Sequence, residues 1–383
     1  MSESRIDGPK QQGCAILYID LDALVANWRA IAAAVVPAKA AAVVKSDAYG
    51  IGALPVVRAL AAAGCRHFFV AQLSEAIKLK GVLPKDGVLY VLNGLMPGAE
   101  SACADAGAVP VLNSLNQIER WSAYARAQRE TLPAILQVDT GMSRLGLPPE
   151  EVEILLAERH RLDGVALQYV MSHLACADDP GNPAIETQRT CFERIASAFP
   201  DVARSFDNSG GALISAVPHY DLVRPGIALY GGAAHSDFPA GMRPVVRLDA
   251  SIIQLRRIPA GTGVGYGLTF TATRDTFLAT LAVGYADGWP WQLGNRGSAY
   301  VAGIRTPIVG RVSMDSMVID VTDVPLKFLV PGAPVELIGP HQSLEDIASD
   351  AGTIAYEILT RLGARYERVY HGSHVTLTKE PPQ

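Results

Sequence analysis

Between residues 20 and 230 the chain alternates two signals with a regular beat. Short apolar runs, often β-branched, are each followed by a stretch rich in Ala, Leu, Glu and Arg. The runs are AAVVK (41–45), HFFVA (67–71), VLYVL (88–92), VPVLN (109–113), PAILQVD (133–139), GVALQYVMSHL (164–174), RSFDN (204–208) and LVRPGIALYG (222–231). Helices are expected at Leu54–Ala63, Ser74–Lys80, Leu115–Arg129, Pro149–Arg161 and Ala184–Ala198, with a further one, Leu21–Ala34, ahead of the first run. Continuous apolar strands separated by helices are parallel strands buried on both faces. Eight such units point to a closed (β/α)8 barrel over residues 19–241.

The beat changes near residue 241. Short alternating segments follow, such as SIIQLRRI, FLATLAVGY and TPIVGRVSMDSMVIDV, punctuated by turn-rich PAGTGVGYG, DGWPW and VPGAP. They predict a mainly antiparallel β-domain over 242–383, with a strand near 13–18 added to it. One helix, Leu344–Leu362, is expected inside it, opened by Ser343 and closed by Gly363. The glycine-rich Gly261–Gly267 has no βαβ unit around it, so it reads as a turn and not as a dinucleotide loop.

A net charge of −5 on 383 residues offers no basic face for nucleic acid. No apolar run is long enough for a membrane span, and the polar start of the chain has no signal-peptide core, which favours a cytoplasmic protein. The five cysteines are scattered and odd in number. They read as small buried thiols, with neither a disulfide framework nor a metal site.

Catalytic residues of a (β/α)8 barrel lie where its strands end. The polar residues there are Lys45, Asp139 with Arg144, His173, Asn208 with Ser209, and Arg224. A lysine ending an apolar strand either snorkels out at the rim or has a lowered pKa and serves as an amine nucleophile or base. Tyr49 sits on the glycine-bounded loop that follows it. Asn208-Ser209-Gly210-Gly211 and Arg224-Pro225-Gly226 place free N–H groups after the last two strands, the common phosphate position of this fold. A lysine beside a phosphate cradle suits a phosphorylated aldehyde cofactor, and equally a sugar-phosphate aldolase.

The motif VVKSDAYGIG (43–52) resembles the cofactor-lysine motif of the alanine racemase family. VDTGMSRLG (138–146), SHLA (172–175), NSG (208–210), VRPGIALYG (223–231), VGYADGW (283–289) and GRVSMD (310–315) resemble six further signatures in the family's order. The resemblance implies pyridoxal 5′-phosphate as cofactor and interconversion of L- and D-alanine by two bases. Lys45 would carry the cofactor and serve the D-face, Tyr285 would serve the L-face, and His173 and Arg144 would support them. Tyr49, Asn208, Ser209, Arg224, Gly226, Ile227 and Tyr356 would hold the cofactor, with Arg224 facing the pyridine nitrogen. Arg144 and the Met314 N–H would bind the substrate carboxylate, while Tyr266, Arg311, Asp315, Asp178 and Ile354 would line the entrance corridor. The resemblance also implies a homodimer whose sites are shared between chains, and a role in supplying D-alanine for peptidoglycan.

The sequence departs from the family at Gln137, where many members carry a carbamylated lysine; a neutral amide can hydrogen-bond Arg144 but supplies no negative charge, so no carbamate is expected. Ile51 and Ser313 stand where histidine and cysteine are frequent. A racemase of broader specificity, acting on serine, lysine or arginine, shares the same pattern. A non-catalytic pyridoxal-phosphate barrel would lack the β-domain and Tyr285.

Overall fold

The computed structural model describes residues 14–214, 219–234 and 242–373. Contacts divide the chain into two units: Leu21–Arg243, and a second formed by the residues before and after that stretch. The first strand, β1 (Ala15–Asp20), belongs to the second unit.

The helix Leu21–Ala34 opens the barrel unit. It buries Leu21, Leu24, Val25, Trp28 and Ile31, one face of a 3.6-residue period. The barrel strands are β2 (Lys39–Ala40), β3 (Ala42–Val43), β4 (His67–Val70), β5 (Val88–Val91), β6 (Ala108–Leu112), β7 (Leu132–Gln137), β8 (Val165–Met171), β9 (Ala203–Ser205) and β10 (Leu222–Val223). Their order is β2-β10-β9-β8-β7-β6-β5-β4-β3, all parallel. β2 and β3 are the two halves of one strand, parted at Ala41. The first half pairs with β10 and the second with β4, so eight strand positions close on themselves. Phe68, Phe69, Val70, Tyr90, Val91, Val111, Ile135 and Val170 are all buried, which the double-sided cover of a parallel barrel requires.

The elements of this unit follow the expected sites with some differences. Pro149–Arg161 is an α-helix only to Ala157 and continues as a 3-10 turn, Arg159–Leu162. A short helix, Glu100–Ala106, was not anticipated; its Ala-, Ser- and Asp-rich sequence buries only Cys103 and has little apolar period to read. The run 222–231 is strand only at Leu222–Val223, and Ile227–Tyr230 forms a 3-10 turn.

The second unit is built on β11 (Val246–Ile258), long enough to serve several neighbours. The remaining strands are β12 (Gly263–Val264), β13 (Phe270–Thr271), β14 (Thr276–Leu281), β15 (Ser298–Val301), β16 (Ile304–Pro307), β17 (Met317–Asp320), β18 (Pro334–Ile338) and β19 (Glu367–His371). The main path runs β16-β15-β18-β11-β1-β19, with β14 joining β11 to β17. All pairs are antiparallel except β1 with β19. β12 and β13 form a hairpin, so the glycine-rich Gly261–Gly267 is a turn structure.

The single helix expected at 344–362 is two helices, Leu344–Ala351 and Ala355–Thr360. Ser343 opens the first with a capping box to Asp346, as its sequence implies. The break comes at Gly352, whose left-handed backbone (φ 70°) ends the helix well before Gly363. Cys65 and Cys103 are buried and their thiols pushed up to about 12 by desolvation, but Cys14 is exposed and Cys176 and Cys191 are half-buried. No helix among the described residues is long and apolar enough to cross a membrane.

Candidate active site

Lys45 leaves β3 through Val44 and is half-buried at the barrel rim. The next four residues, Ser46, Asp47, Ala48 and Tyr49, all have φ between 53° and 55°, one turn of left-handed helix. Each non-glycine residue in that conformation costs about 1–2 kcal/mol. The turn is therefore held from outside its own sequence. Ser46 N–H donates to Glu75 Oε1, and Ala53 N–H to Asp47 Oδ1 at 2.7 Å. Tyr49 stacks on Tyr230 with centroids 4.5 Å apart, and the Tyr230 hydroxyl donates to the Val43 carbonyl at 2.9 Å. Burial and the Arg144 guanidinium lower the Lys45 pKa; Glu75 opposes them. The amine is biased toward its neutral, nucleophilic form.

Arg144 sits on the loop after β7, and Asp139 organises that loop. One Asp139 carboxylate accepts from the N–H groups of Gly141 (2.9 Å), Met142 (2.9 Å) and Ser143 (3.0 Å). Gln137 is buried and donates to the Leu145 carbonyl at 3.3 Å. The Gln137 amide thus meets the backbone beside Arg144, its side chain lying under the tight approach of Gly146 to the end of β7.

His173 follows β8 and is gripped from two sides. Arg224 Nη2 lies 3.2 Å from His173 Nδ1 and also donates to the carbonyls of Ser172 (2.7 Å) and Phe206 (3.1 Å); Nη1 donates to Ser205 Oγ at 2.6 Å. Gln188, buried on the helix Ala184–Ala196, donates to the His173 carbonyl (3.0 Å) and accepts from Ala175 N–H (2.9 Å). It also reaches Thr140 Oγ1, itself 2.8 Å from Ser172 Oγ. Desolvation, then Arg224, Arg144 and Lys45, pushes the His173 pKa down to about 3. Burial lowers Arg224 to about 10, so it stays a cation at neutral pH.

Beside the lysine lies a cradle of donors. Ser209 Oγ is 2.8 Å from Gly226 N and 3.4 Å from Ala228 N, and a methyl at Gly226 would collide with the Tyr49 hydroxyl. Asn208 caps the turn at Gly211 N–H (3.1 Å) and donates to the Leu174 carbonyl. Ile227 is buried behind it. The Ser209 and Tyr49 hydroxyls and the backbone amides around them form a donor set for an oxyanion, and so fit the phosphate of a phosphorylated aldehyde. Asp178 lies exposed in the same unit.

In the second unit Tyr285 opens a short 3-10 turn and is 44% exposed. Its N–H donates to the Ser313 carbonyl at 3.0 Å, and Ala286 N–H to the Met314 carbonyl at 2.9 Å. Asp287 accepts from Gly284 N–H (2.9 Å) and from Arg365 (2.7 Å), which also binds Asp315 at 2.7 Å. Tyr285, Met314 and Asp315 are thereby set on two loops tied together. Arg311 lies over Trp291, 5.8 Å from its ring, and Tyr266, Met314, Ile354 and Tyr356 are exposed. The residues missed from sequence are Glu75, Gln188, Ser172, Ser205, Asp287 and Arg365. A polar residue on a helix face carries no local sign of what it binds; only Ser172, inside SHLA, and Asp287, inside VGYADGW, lay within motifs.

A rim lysine with a lowered pKa beside an oxyanion cradle, on a parallel barrel joined to a β-unit, defines the class: a barrel enzyme whose lysine works on a phosphorylated ligand. Comparison with known proteins narrows this. The family model for the N-terminal domain of alanine racemase matches residues 19–234, and that for the C-terminal domain residues 245–370. The catabolic alanine racemase of Agrobacterium fabrum is 53% identical over 92% of this chain and 91% of its own. The alanine racemase of Brucella canis is 49% identical over 93% of each chain. The crystal structure of alanine racemase from Bartonella henselae with covalently bound pyridoxal phosphate superposes with a TM-score of 0.90, at 45% identity, over 94% of this chain and 99% of that one. This chain belongs to the alanine racemase family.

Proposed function

We infer that this protein interconverts L- and D-alanine with pyridoxal 5′-phosphate, using Lys45 and Tyr285 as its two bases. The observation that carries the reading is the lowered pKa of Lys45 on a turn held beside the Ser209–Gly226 cradle. Lys45 would bind the cofactor aldehyde; Tyr49, Asn208, Ser209, Gly226, Ile227 and Tyr356 would seat it. When bound, the cofactor supplies an electron sink that lets the substrate Cα proton leave. Lys45 Nζ takes or returns that proton on one face of the planar carbon, and the Tyr285 hydroxyl on the other.

Arg144 and the Met314 N–H would bind the substrate carboxylate. Arg224, a donor with no acceptor atom, fills the Nδ1 lone pair of His173 and so fixes the ring proton on Nε2. That N–H is the group that would stabilise a tyrosinate and bring the phenol within reach of neutral pH. Arg224 would also face the pyridine nitrogen, and Asp178, Tyr266, Arg311, Asp315 and Ile354 would line the way in.

The exposed Tyr266, Leu268, Tyr285, Trp291 and Met314 support a homodimer in which each Tyr285 serves the barrel of the other copy. All five cysteines are free, which suits a reducing cytoplasm. Enantiomers have equal free energy in water, so supply of D-alanine for peptidoglycan and its breakdown are both open to the same site.

The test is racemisation of L-alanine by purified protein, with serine and lysine as competitors, alongside the visible band of the lysine-bound cofactor. Lys45→Ala is expected to lose the band and the activity together. A Lys45→Ala protein that racemises at the parent rate would rule the assignment out.

A further inference from the structure

The carboxylate of Glu75 joins Lys45's turn to the helix that follows the neighbouring barrel strand. Glu75 stands in the first turn of the helix Leu73–Lys78, after β4. Its Oε2 accepts from Ala71 N–H (2.8 Å) and Gln72 N–H (3.0 Å), which caps that helix. Its Oε1 accepts from the N–H of Ser46, the residue next to Lys45. One carboxylate thus fixes two loops that leave adjacent strands, β3 and β4.

The Ser46 bond falls where the backbone most needs it. Val44 has a negative φ (−115°) and Ser46 is left-handed (φ 54°), so the chain reverses hand across Lys45. An N–H pinned at the first left-handed residue holds that reversal, and the direction of the Lys45 side chain with it. The charge balance adds a second reason. The groups that face Lys45 are Arg144, from the loop after β7, His173, from the loop after β8, and Glu75; Arg224 lies behind His173. Glu75 is the only anion among them.

We propose that Glu75 is a positioning residue for Lys45: its carboxylate locks the left-handed turn and supplies the negative charge that keeps the lysine amine in place among cations. The proposal rests on Lys45 being the residue that carries the cofactor.

Two variants separate geometry from charge. Glu75→Gln keeps the volume and removes the charge; Glu75→Asp keeps the charge and withdraws it by one methylene. In cofactor-free protein, the pH midpoint for acylation of Lys45, read by peptide mass spectrometry, is expected to fall by roughly one unit in Glu75→Gln. It is expected to fall less in Glu75→Asp. Affinity for pyridoxal phosphate, read from the visible band, is expected to drop about tenfold or more in both, the scale of one charge-assisted hydrogen bond. Parent values for both readouts in Glu75→Gln would overturn the proposal. Should neither variant fold, hydrogen exchange in the unaltered holoenzyme decides. Protection of the Ser46 amide supports the proposal, and exchange at the rate of an unstructured peptide overturns it. A visible band that survives Lys45→Ala would refute the underlying reading of Lys45, and the Ser46 amide would still report on the turn.

Discussion

Arg224 Nη2 and His173 Nδ1 lie 3.2 Å apart, a guanidinium directed at the lone pair of an imidazole. A guanidinium cannot accept, so the histidine must be the acceptor and its proton must sit on the far nitrogen. One contact settles both the tautomer and the charge of a residue that sequence placed only at a strand end. It also makes the barrel sensitive to acid.

His173 has its pKa pushed down to about 3, and His67, half-buried and near Lys39, to about 4. Both are neutral in the fold and protonate in the unfolded chain below about 6.5. Between pH 6.5 and 4 the unfolded state binds more protons, so stability falls as pH falls through that window. Urea midpoints measured from pH 7.5 to 5 should show the decline, and His67→Phe should remove about one proton from the slope. An unchanged slope in that variant would contradict the assignment.

A shared site has a signature in mixed dimers. Lys45→Ala and Tyr285→Phe proteins are each expected to be nearly inactive. If each site takes its lysine from one copy and its tyrosine from the other, unfolding and refolding an equal mixture restores one intact site per heterodimer. Random pairing then gives about a quarter of the parent activity. Sites contained within single chains would restore none.

Asp139 touches no proposed reacting atom, yet it holds three N–H groups of the loop that carries Arg144. Asp139→Ala should loosen that loop, whose Ser143 already has φ 55°. KM for alanine is expected to rise about tenfold or more, with a smaller change in kcat, because carboxylate binding is lost in ground and transition states alike. Steady-state kinetics in both directions checks this; a lowered kcat at constant KM would assign Asp139 elsewhere.

Gln188→Leu removes the partners of the His173 carbonyl, the Ala175 N–H and the Thr140 hydroxyl at once. Thr140 keeps its bond to Ser172, but the His173 carbonyl and the Ala175 N–H lose these partners, which should cost about 1–3 kcal/mol. Denaturant unfolding of the cofactor-free protein would measure it.

These residues also mark what could be read along the chain. The barrel was legible because eight buried strands impose an apolar rhythm, and the site's rim residues were legible because they interrupt it. The split at Ala41 was not, since nothing local distinguishes a strand with one neighbour on each side from one that changes neighbours midway. The helix at 344–362 was read through Gly352, whose left-handed backbone is a property of the turn it makes and not of the letters around it. The left-handed turn after Lys45 had even less signal: Ser46, Asp47 and Ala48 do not favour that conformation, and Glu75, far along the chain, enforces it. Gln137 shows the same limit, because its partner is a carbonyl, which no side-chain pattern announces.

The pairing of β1 has a consequence for how the protein is made. Ile16 lies opposite Asp249 on one side and Glu367 on the other, so β1 leaves the ribosome ahead of the barrel and waits for β11 and β19, which are made after it. The barrel, held within that span, can complete its own contacts meanwhile. Vectorial synthesis would therefore yield a finished barrel trailing an unmatched β-strand, an edge open to another nascent chain until β19 arrives.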